Sequence, residues 1–497
     1  ILQSAELCLF ELFMINIISQ VLEKKDHFKI KIILLLNFLT FFFEFISLGS
    51  IPIFVGLIID SGATLSRLEE YGIFYFSEFS NENLIKYIGV IIIAIFIIKN
   101  IFYFTLIYIQ GKFIKNFKLT TARKLLNFYI GSPFSYHMEH NPAELTRNST
   151  DNVDFVSEFI LQGINVFKES IAILVIFTLL LIVNPVITLS ITFIFSLFGF
   201  YYLKRIKPSM KKKAKQNESL KTTLIKIVNE SFGAIKDIKL LNKEKNILKY
   251  YDSNREKVED NTFFFNLSAK SPKLLLESIA IITITLSTLI ILNFNKDVLG
   301  LLSILSLIVI ATVRFIPAFN GIITSLFYLR VYRPYGETIV EELKQIEYYK
   351  KKSSVTLEDK LARDINEDIN KNFILLNDIS FSYKNNQKGI LKNINLSIEK
   401  GKIVGITGET GSGKSTLFHI MLGLLPPKNG MVFYKNKNIH ADIVNWRNKI
   451  GYIAQNIYLL DSTIEKNITF DFLEEKIDKE RIDFAIKMSS LDEKISE

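Results

Sequence analysis

The sequence predicts an α-helical membrane domain of six spans, followed by a soluble α/β domain. Of the 497 residues, 49% are hydrophobic and 22% are charged, and the two kinds lie in separate regions. At Phe373 the long apolar stretches give way to short alternating segments that are typical of strands, among them KIVGIT (402–407) and KIGYIAQ (449–455). We therefore divide the chain into an N-terminal segment (1–28), a six-helix membrane domain (29–350), a linker (351–370) and the α/β domain (371–497).

Six apolar stretches are long enough to cross a bilayer, which takes about 20 residues. They lie near Ile30–Ile59, Ile85–Ile109, Val166–Val183, Val186–Leu203, Leu274–Phe294 and Leu299–Leu326. Runs such as IAILVIFTLLLIV are apolar on every side rather than along one stripe. This argues against buried helices of a soluble core and favours membrane spans.

The basic residues predict the orientation of these spans. Residues 111–152 and 204–273 are rich in Lys and Arg, including the run KRIKPSMKKKAK, so both segments are expected to be cytoplasmic. With an even number of spans, both termini are then cytoplasmic as well. The net charge of +10 is explained in this way and does not indicate a nucleic-acid partner.

Two further features limit the interpretation. The only cysteine is Cys8, which excludes an intrachain disulfide and argues against a thiol-ligated metal site. The aromatic run Tyr71–Phe79 is predicted to lie outside, either at the lipid headgroups or in an ordinary packed loop. Ile1 is not an initiator residue, so we expect the natural start at Met14 or a sequence that is part of a longer one.

The sequence GETGSGKST matches the phosphate-binding pattern G-x-x-x-x-G-K-[ST]. Its glycines allow successive backbone N–H groups to turn towards an oxyanion, while the lysine reaches phosphates and the hydroxyl that follows binds Mg²⁺. A buried strand, Lys402–Thr407, is predicted before the loop and a helix, Ser415–Leu425, after it. The predicted ATP contacts in the loop are Gly408, Glu409, Thr410, Gly411, Ser412, Gly413, Lys414, Ser415 and Thr416.

Six spans followed by such a loop resemble the half-transporters of the ABC exporter superfamily. By this resemblance, Tyr383 in FSY is the aromatic residue that stacks on adenine, and Gln455 is the glutamine that contacts Mg²⁺ together with Ser415. The resemblance implies ATP and Mg²⁺ as cofactors and a second half-transporter as partner, most simply an identical chain. It also implies a multi-pass protein of a bacterial plasma membrane.

A narrower resemblance concerns the transported substrate. The segment Ala311–Arg330 and the residues around Glu44 are similar to bacterial flippases of lipid-linked oligosaccharides, although Gly321 stands where that subgroup has arginine. The function implied is ATP-driven export or flipping of such a substrate by alternating access. The alternatives are an exporter of a lipid, peptide or drug, and an ATP-binding partner subunit that does not hydrolyse ATP.

Ionisable residues within the apolar stretches are candidates for a substrate cavity, because a charge costs about 2.5–3.5 kcal/mol at the bilayer centre. Glu44 and Arg314 are the predicted cavity residues, and the Arg314 guanidinium suits a pyrophosphate. Lys99 and Glu277 are instead expected to lie near span ends and to extend towards water.

The hydrolytic site of the superfamily also needs a signature loop and an acidic residue after a buried strand. Neither pattern is found before Glu497. We therefore expect the catalytic residues to lie beyond Glu497, an ATP-binding domain that is incomplete at this end, and no ATPase activity from residues 1–497 alone.

Overall fold

The structure is a computed structural model that divides into two compact units, Ile1–Thr356 and Leu357–Glu497. It describes residues 17–59, 61–70, 81–183, 185–294, 298–360, 372–383, 389–455, 457–471 and 478–496. The aromatic run Tyr71–Phe79 lies outside these ranges. Residues 351–360 of the predicted linker continue a helix, and 361–370 are outside the described residues.

The described part of the first unit is helical, and each of the six predicted stretches lies on one long helix. The helices are α1 (Lys24–Ile59), α2 (Ser61–Glu70), α3 (Asn81–Gly131), α4 (Phe134–Glu139), α5 (Pro142–Ser149), α6 (Asp151–Val183), α7 (Pro185–Gly233), α8 (Ile235–Leu240), α9 (Glu244–Phe294) and α10 (Val298–Lys360). Among the described residues, three helical segments are long and apolar enough to span a membrane: Lys24–Ile58, Glu82–Gly131 and Pro142–Ile182. The count of six spans therefore stays a prediction.

The long helices continue well beyond their apolar stretches. Helix α3 has 51 residues, which corresponds to about 75 Å of helix, whereas the hydrocarbon core is about 30 Å thick. The short helices α4 and α8 lie where the chain turns back, between α3 and α6 and between α7 and α9. Asn141 caps α5 by accepting a hydrogen bond from the Ala143 N–H, and Pro142 occupies the first turn, where its missing N–H costs nothing.

The largest core of the first unit joins residues 17–22 to the extended parts of the helices. Its fully buried members include Leu125, Val156, Phe159 and Ile339. They come from α3, α6 and α10, so three separate segments of the chain pack at one end of the helical unit. A second core, around Ile176 and Leu276, lies within the predicted spans.

The second unit contains a small antiparallel sheet with the strand order β2-β1-β3-β4. The strands are β1 (Asn372–Phe381), β2 (Leu391–Glu399), β3 (Asn429–Tyr434) and β4 (Lys437–Asn438). The helices are α11 (Lys414–Met421), a 3₁₀ turn (Ile439–Ala441), α12 (Ile443–Arg447), α13 (Ile464–Thr469), α14 (Lys479–Met488) and α15 (Asp492–Ser496). Leu376, at the centre of β1, pairs with Leu396 and Val432 and is fully buried.

Two predicted strands are wrong. Residues 402–407 and 449–455 have no strand structure, and Ile403 and Ile453 are 101% and 88% exposed. A strand needs a neighbour for its backbone hydrogen bonds and a surface on which its side chains can pack. The sheet of the described residues offers these two segments no ladder partner, although Ile406 packs against the core.

A buried carboxylate joins three helices of the first unit, beyond the predicted spans. Glu342 on α10 accepts hydrogen bonds from the Tyr129 hydroxyl (3.0 Å) and the Asn148 side-chain amide (3.2 Å). Asn152 donates in turn to Asn148 Oδ1 at 2.7 Å. Glu342 is 7% exposed, and its burial raises the pKa of the carboxyl, although the hydrogen bond from Tyr129 acts in the opposite direction.

This raised pKa predicts a pH-dependent stability. In the unfolded chain the Glu342 carboxyl has a pKa of about 4.3. The folded protein keeps the Glu342 proton at pH values where the unfolded chain has lost it. The free energy of unfolding therefore falls as the pH rises from the pKa of Glu342 in the unfolded chain to its pKa in the folded state. Between these two values the fall is about 1.4 kcal/mol for each pH unit. We expect Glu342→Gln to remove this loss, so that its melting temperature exceeds that of the wild type increasingly towards neutral pH. The control is Glu347→Gln, which removes a carboxylate from an exposed position of the same helix and leaves the contacts of Glu342 intact. Identical profiles for all three proteins would contradict the prediction.

Candidate functional site

The loop predicted to bind phosphate leads directly into helix α11. Gly413 precedes the helix with a φ of 95°, a conformation that glycine adopts readily. A Cβ at this position would lie 2.9 Å from Ile390 Cγ2, so a larger residue would also clash with the start of β2. The loop is therefore held against the sheet by the close approach of its backbone.

Lys414 folds back over this loop. Its ammonium group donates to the carbonyl oxygens of Gly408 and Glu409, both at 2.7 Å. The loop residues 408–412 are exposed, and the N-terminus of an eight-residue helix adds its own attraction for anions. A cation, exposed backbone and a helix N-terminus together fit the phosphates of a nucleotide.

The opposite end of α11 is fixed by α12. The Trp446 indole N–H donates to the Met421 carbonyl at 2.9 Å, and Arg447 donates to the Gly423 carbonyl at 2.7 Å. Gly423 itself has a φ of 68°, which ends the helix before the predicted Leu425. These contacts satisfy carbonyls that a helix end leaves without partners. The candidate phosphate site is therefore built on a helix anchored at both ends.

Tyr383 lies beside the first turn of this helix. Its hydroxyl is hydrogen-bonded to Thr416 Oγ1 at 3.1 Å, and its ring packs edge-on against Phe381 with the centroids 4.9 Å apart. Thr416 is 7% exposed, and its hydroxyl is engaged by Tyr383. Its predicted contact with a nucleotide would therefore be made by its backbone. Contact of Tyr383 with adenine stays a prediction.

The two predicted magnesium ligands, Ser415 and Gln455, are both exposed. A hydroxyl at the start of a helix and a side-chain amide are oxygen donors, which Mg²⁺ accepts together with water and phosphate. Among the described residues there is no cluster of three or more His, Cys, Asp and Glu residues that could hold a metal by itself. The hydroxyl of Ser415 and the amide of Gln455 are therefore the proposed protein ligands of a Mg²⁺ ion that also binds nucleotide phosphates.

The first unit contains a second candidate site, within the predicted spans. Glu44 on α1 and Lys99 on α3 form an ion pair (Oε1 to Nζ, 3.6 Å), and Lys99 also donates to Ser47 Oγ at 3.0 Å. Their side chains are only 10% and 3% exposed. The expectation that Lys99 extends to water is therefore wrong: it lies in mid-helix, where pairing with a carboxylate offsets part of the cost of burial.

The pair belongs to a buried polar stripe on α1 that sequence reasoning missed. Asn37, Thr40, Glu44 and Ser47 follow one another at intervals of three or four residues, and all are buried. Gln110 on α3 lies beside this stripe and donates to Asn37 Oδ1 at 3.5 Å. The regular spacing was the signal that could have revealed the stripe in the sequence.

The remaining ionisable candidates are less informative. The Arg314 side chain lies outside the described part of the chain. Glu277 pairs with Lys273 one turn earlier on α9, at 3.8 Å. Gly321, which stands where the flippases have arginine, packs so closely that a Cβ would be 2.8 Å from Glu169 Cγ. A larger side chain at position 321 would displace Glu169.

Family models match the sequences of both structural units. The ABC transporter transmembrane region matches residues 33–313, which is more than half of the chain, and the ABC transporter family matches residues 391–496. The protein belongs to the ABC transporter family. This transporter therefore combines a membrane domain and an ATP-binding domain in one chain, as the sequence predicts.

Individual relatives match shorter parts of the transporter. A leukotoxin translocation ATP-binding protein of Mannheimia glucosida is 37% identical over 25% of this chain. A lacticin-481/lactococcin-DR transport/processing ATP-binding protein of Lactococcus lactis is 36% identical over 30% of it. The aligned segments span only 17% and 21% of these relatives.

Removing the amine of Lys414 should weaken ATP binding by this transporter. A hydrogen bond to a charged group contributes about 1.5–3 kcal/mol, so we expect Lys414→Ala to raise the Kd for ATP about 10- to 100-fold. Titration of the detergent-solubilised chain with a fluorescent ATP analogue measures the change. Lys402→Ala, at an exposed lysine of the same unit, should leave the Kd unchanged. An unchanged Kd for Lys414→Ala would overturn the assignment.

A double-mutant cycle tests the ion pair in the membrane domain. Lys99→Met leaves the Glu44 carboxylate buried without its cation, which should lower the free energy of unfolding by about 3–5 kcal/mol. Adding Glu44→Gln removes the second charge, so the double variant should recover most of that loss. Thermal unfolding in detergent provides the measurement. Additive losses from the two substitutions would show that the charges are not coupled.

Proposed function

We propose that the protein is an ATP-driven exporter that works as a dimer by alternating access. The observation that carries this proposal is the Lys414 loop on the same chain as long apolar helices of the transporter family. ATP binding would draw two ATP-binding domains together. The membrane domain would then change the side on which its cavity opens, and ATP hydrolysis would reset it.

In this proposal each residue of the nucleotide site has one task. Lys414 and the backbone of residues 408–413 hold the phosphates, and Tyr383 holds the base. Ser415 and Gln455 hold Mg²⁺, which would neutralise phosphate charge when bound. Within residues 1–497 no catalytic acid is assigned, so the hydrolytic step needs groups beyond those of the nucleotide site.

Two substrate classes have support. A lipid-linked oligosaccharide is supported by the resemblance of residues 311–330 and by the buried charges around Glu44, with Arg314 as the proposed contact of the pyrophosphate. A polypeptide is supported by the relatives, whose names refer to leukotoxin translocation and to lacticin-481/lactococcin-DR transport. Glu169 beside Gly321 weakens the likeness to the flippases at one position.

Substrate-stimulated ATPase activity separates these classes. In proteoliposomes, a polyprenyl-pyrophosphate oligosaccharide should raise ATP turnover if the protein is a flippase, and an amphipathic peptide should do so if it is a peptide exporter. Arg314→Ala should reduce stimulation by the first and leave stimulation by the second unchanged. Lys414→Ala is the control in which turnover is lost with either compound. ATP binding without turnover under all conditions, measured on the product of the complete reading frame, would contradict the exporter and favour a non-hydrolysing partner subunit.

A further inference from the structure

A basic groove lies between α5 and α7, outside both candidate sites. It has a volume of about 870 Å³, and four cationic side chains and two carboxylates line it. The cations are Arg147, Lys211, Lys212 and Lys215, and the carboxylates are Glu144 and Glu218. The groove therefore has an excess of two positive charges.

The helical period of α7 directs these lysines to one side. Lys211, Lys212 and Lys215 line the groove together with Pro208 and Ser219, at spacings that share one helix face. Lys213 points elsewhere, because it donates to Asn261 Oδ1 at 3.0 Å and lies over the Phe264 ring. The positive face is thus a property of the fold and not of the basic run alone.

Arg147 gives the groove a fixed cation. It is 4% exposed, and its guanidinium contacts the Glu218 carboxylate at 3.7 Å. Thr338 on α10 donates to the same carboxylate at 2.7 Å, which holds Glu218 in place. The Arg147 Nε–H has no hydrogen-bond partner in the described part of the chain. A buried donor of this kind costs free energy unless a ligand or water satisfies it.

The position of the groove relative to the membrane indicates its ligand. Seven basic residues lie between Lys204 and Lys215, directly after the apolar stretch that ends at Leu203. At 1.5 Å per residue they extend to about 18 Å beyond that stretch, and the headgroup layer is about 5–7 Å thick on each side. By this length, Lys204, Arg205 and Lys207 lie at the level of the lipid headgroups. The groove lysines follow within about one to two Debye lengths of it.

We propose that this groove binds the phosphate-bearing headgroup of an anionic lipid from the leaflet that faces the predicted cytoplasmic side. Basic clusters directly after a span attract anionic lipids, and each Lys or Arg contributes about a fivefold gain in affinity. The lysines of the groove would contact the phosphate, and the Arg147–Glu218 pair lines the groove beside them. This inference is independent of the transported substrate.

The test uses the full chain in detergent micelles and dioctanoyl phosphatidylglycerol as the probe, with binding followed by native mass spectrometry. K211Q/K212Q/K215Q should weaken binding at least about tenfold. A matched triple variant, K245Q/K249Q/K257Q, removes the same charge from exposed positions of α9 and should stay within about twofold of the wild type. K211R/K212R/K215R should retain binding, and melting temperatures of all variants check the fold.

Three results would overturn the proposal. Equal losses in the two glutamine variants would show a general effect of charge. Equal binding of dioctanoyl phosphatidylcholine would show that the anionic headgroup is not recognised. Displacement of the lipid by glycerol phosphate at the same concentration would identify the groove as a site for soluble phosphates.

Discussion

The absence of water in a bilayer is the constraint on which the membrane domain depends. Every backbone N–H and C=O group in hydrocarbon must find its partner within the chain, so each apolar stretch becomes a helix. These helices do not end at the membrane surface: α3 and α9 each run for 51 residues. The turning points at α4 and α8 therefore lie far from the apolar stretches. Buried polar networks such as that of Glu342 can form there, because three helices meet.

Buried charges in the membrane domain are stabilised in two different ways. Glu44 lies opposite Lys99 and Ser47 accepts from the same lysine, so opposite charge and a hydroxyl replace water. Glu342 has neutral donors, Tyr129 and Asn148, and its pKa is raised by burial. The first arrangement pairs two opposite charges, whereas the second surrounds one carboxyl with uncharged donors. The groove beside Arg147 differs from both, because its exposed lysines leave an excess of positive charge facing an open space.

In the ATP-binding domain, the helix after the phosphate loop is held at both of its ends. Gly413 brings its start against β2, while Trp446 and Arg447 bind the carbonyls at its end. Tyr383 is tied to the same helix through Thr416, so the residue proposed to hold the base and the loop proposed to hold phosphates share one support. By contrast, residues 402–407 and 449–455 have apolar sequences but no ladder partner in the described sheet. Their local pattern alone could not specify a strand.

The sequence by itself determined the features that depend on local pattern. Apolar stretches predicted the long helices, and GETGSGKST predicted the loop that Lys414 closes, because periodicity and loop spacing are properties of neighbouring residues. Only the tertiary structure decided which distant residues meet. Glu44 and Lys99 are brought together by the packing of α1 on α3, and Arg147 meets the groove lysines because α5 packs on α7. Such pairs depend on helix rotation and on where the chain turns. A one-residue rotation of about 100° would have sent Lys99 into lipid instead of towards Glu44.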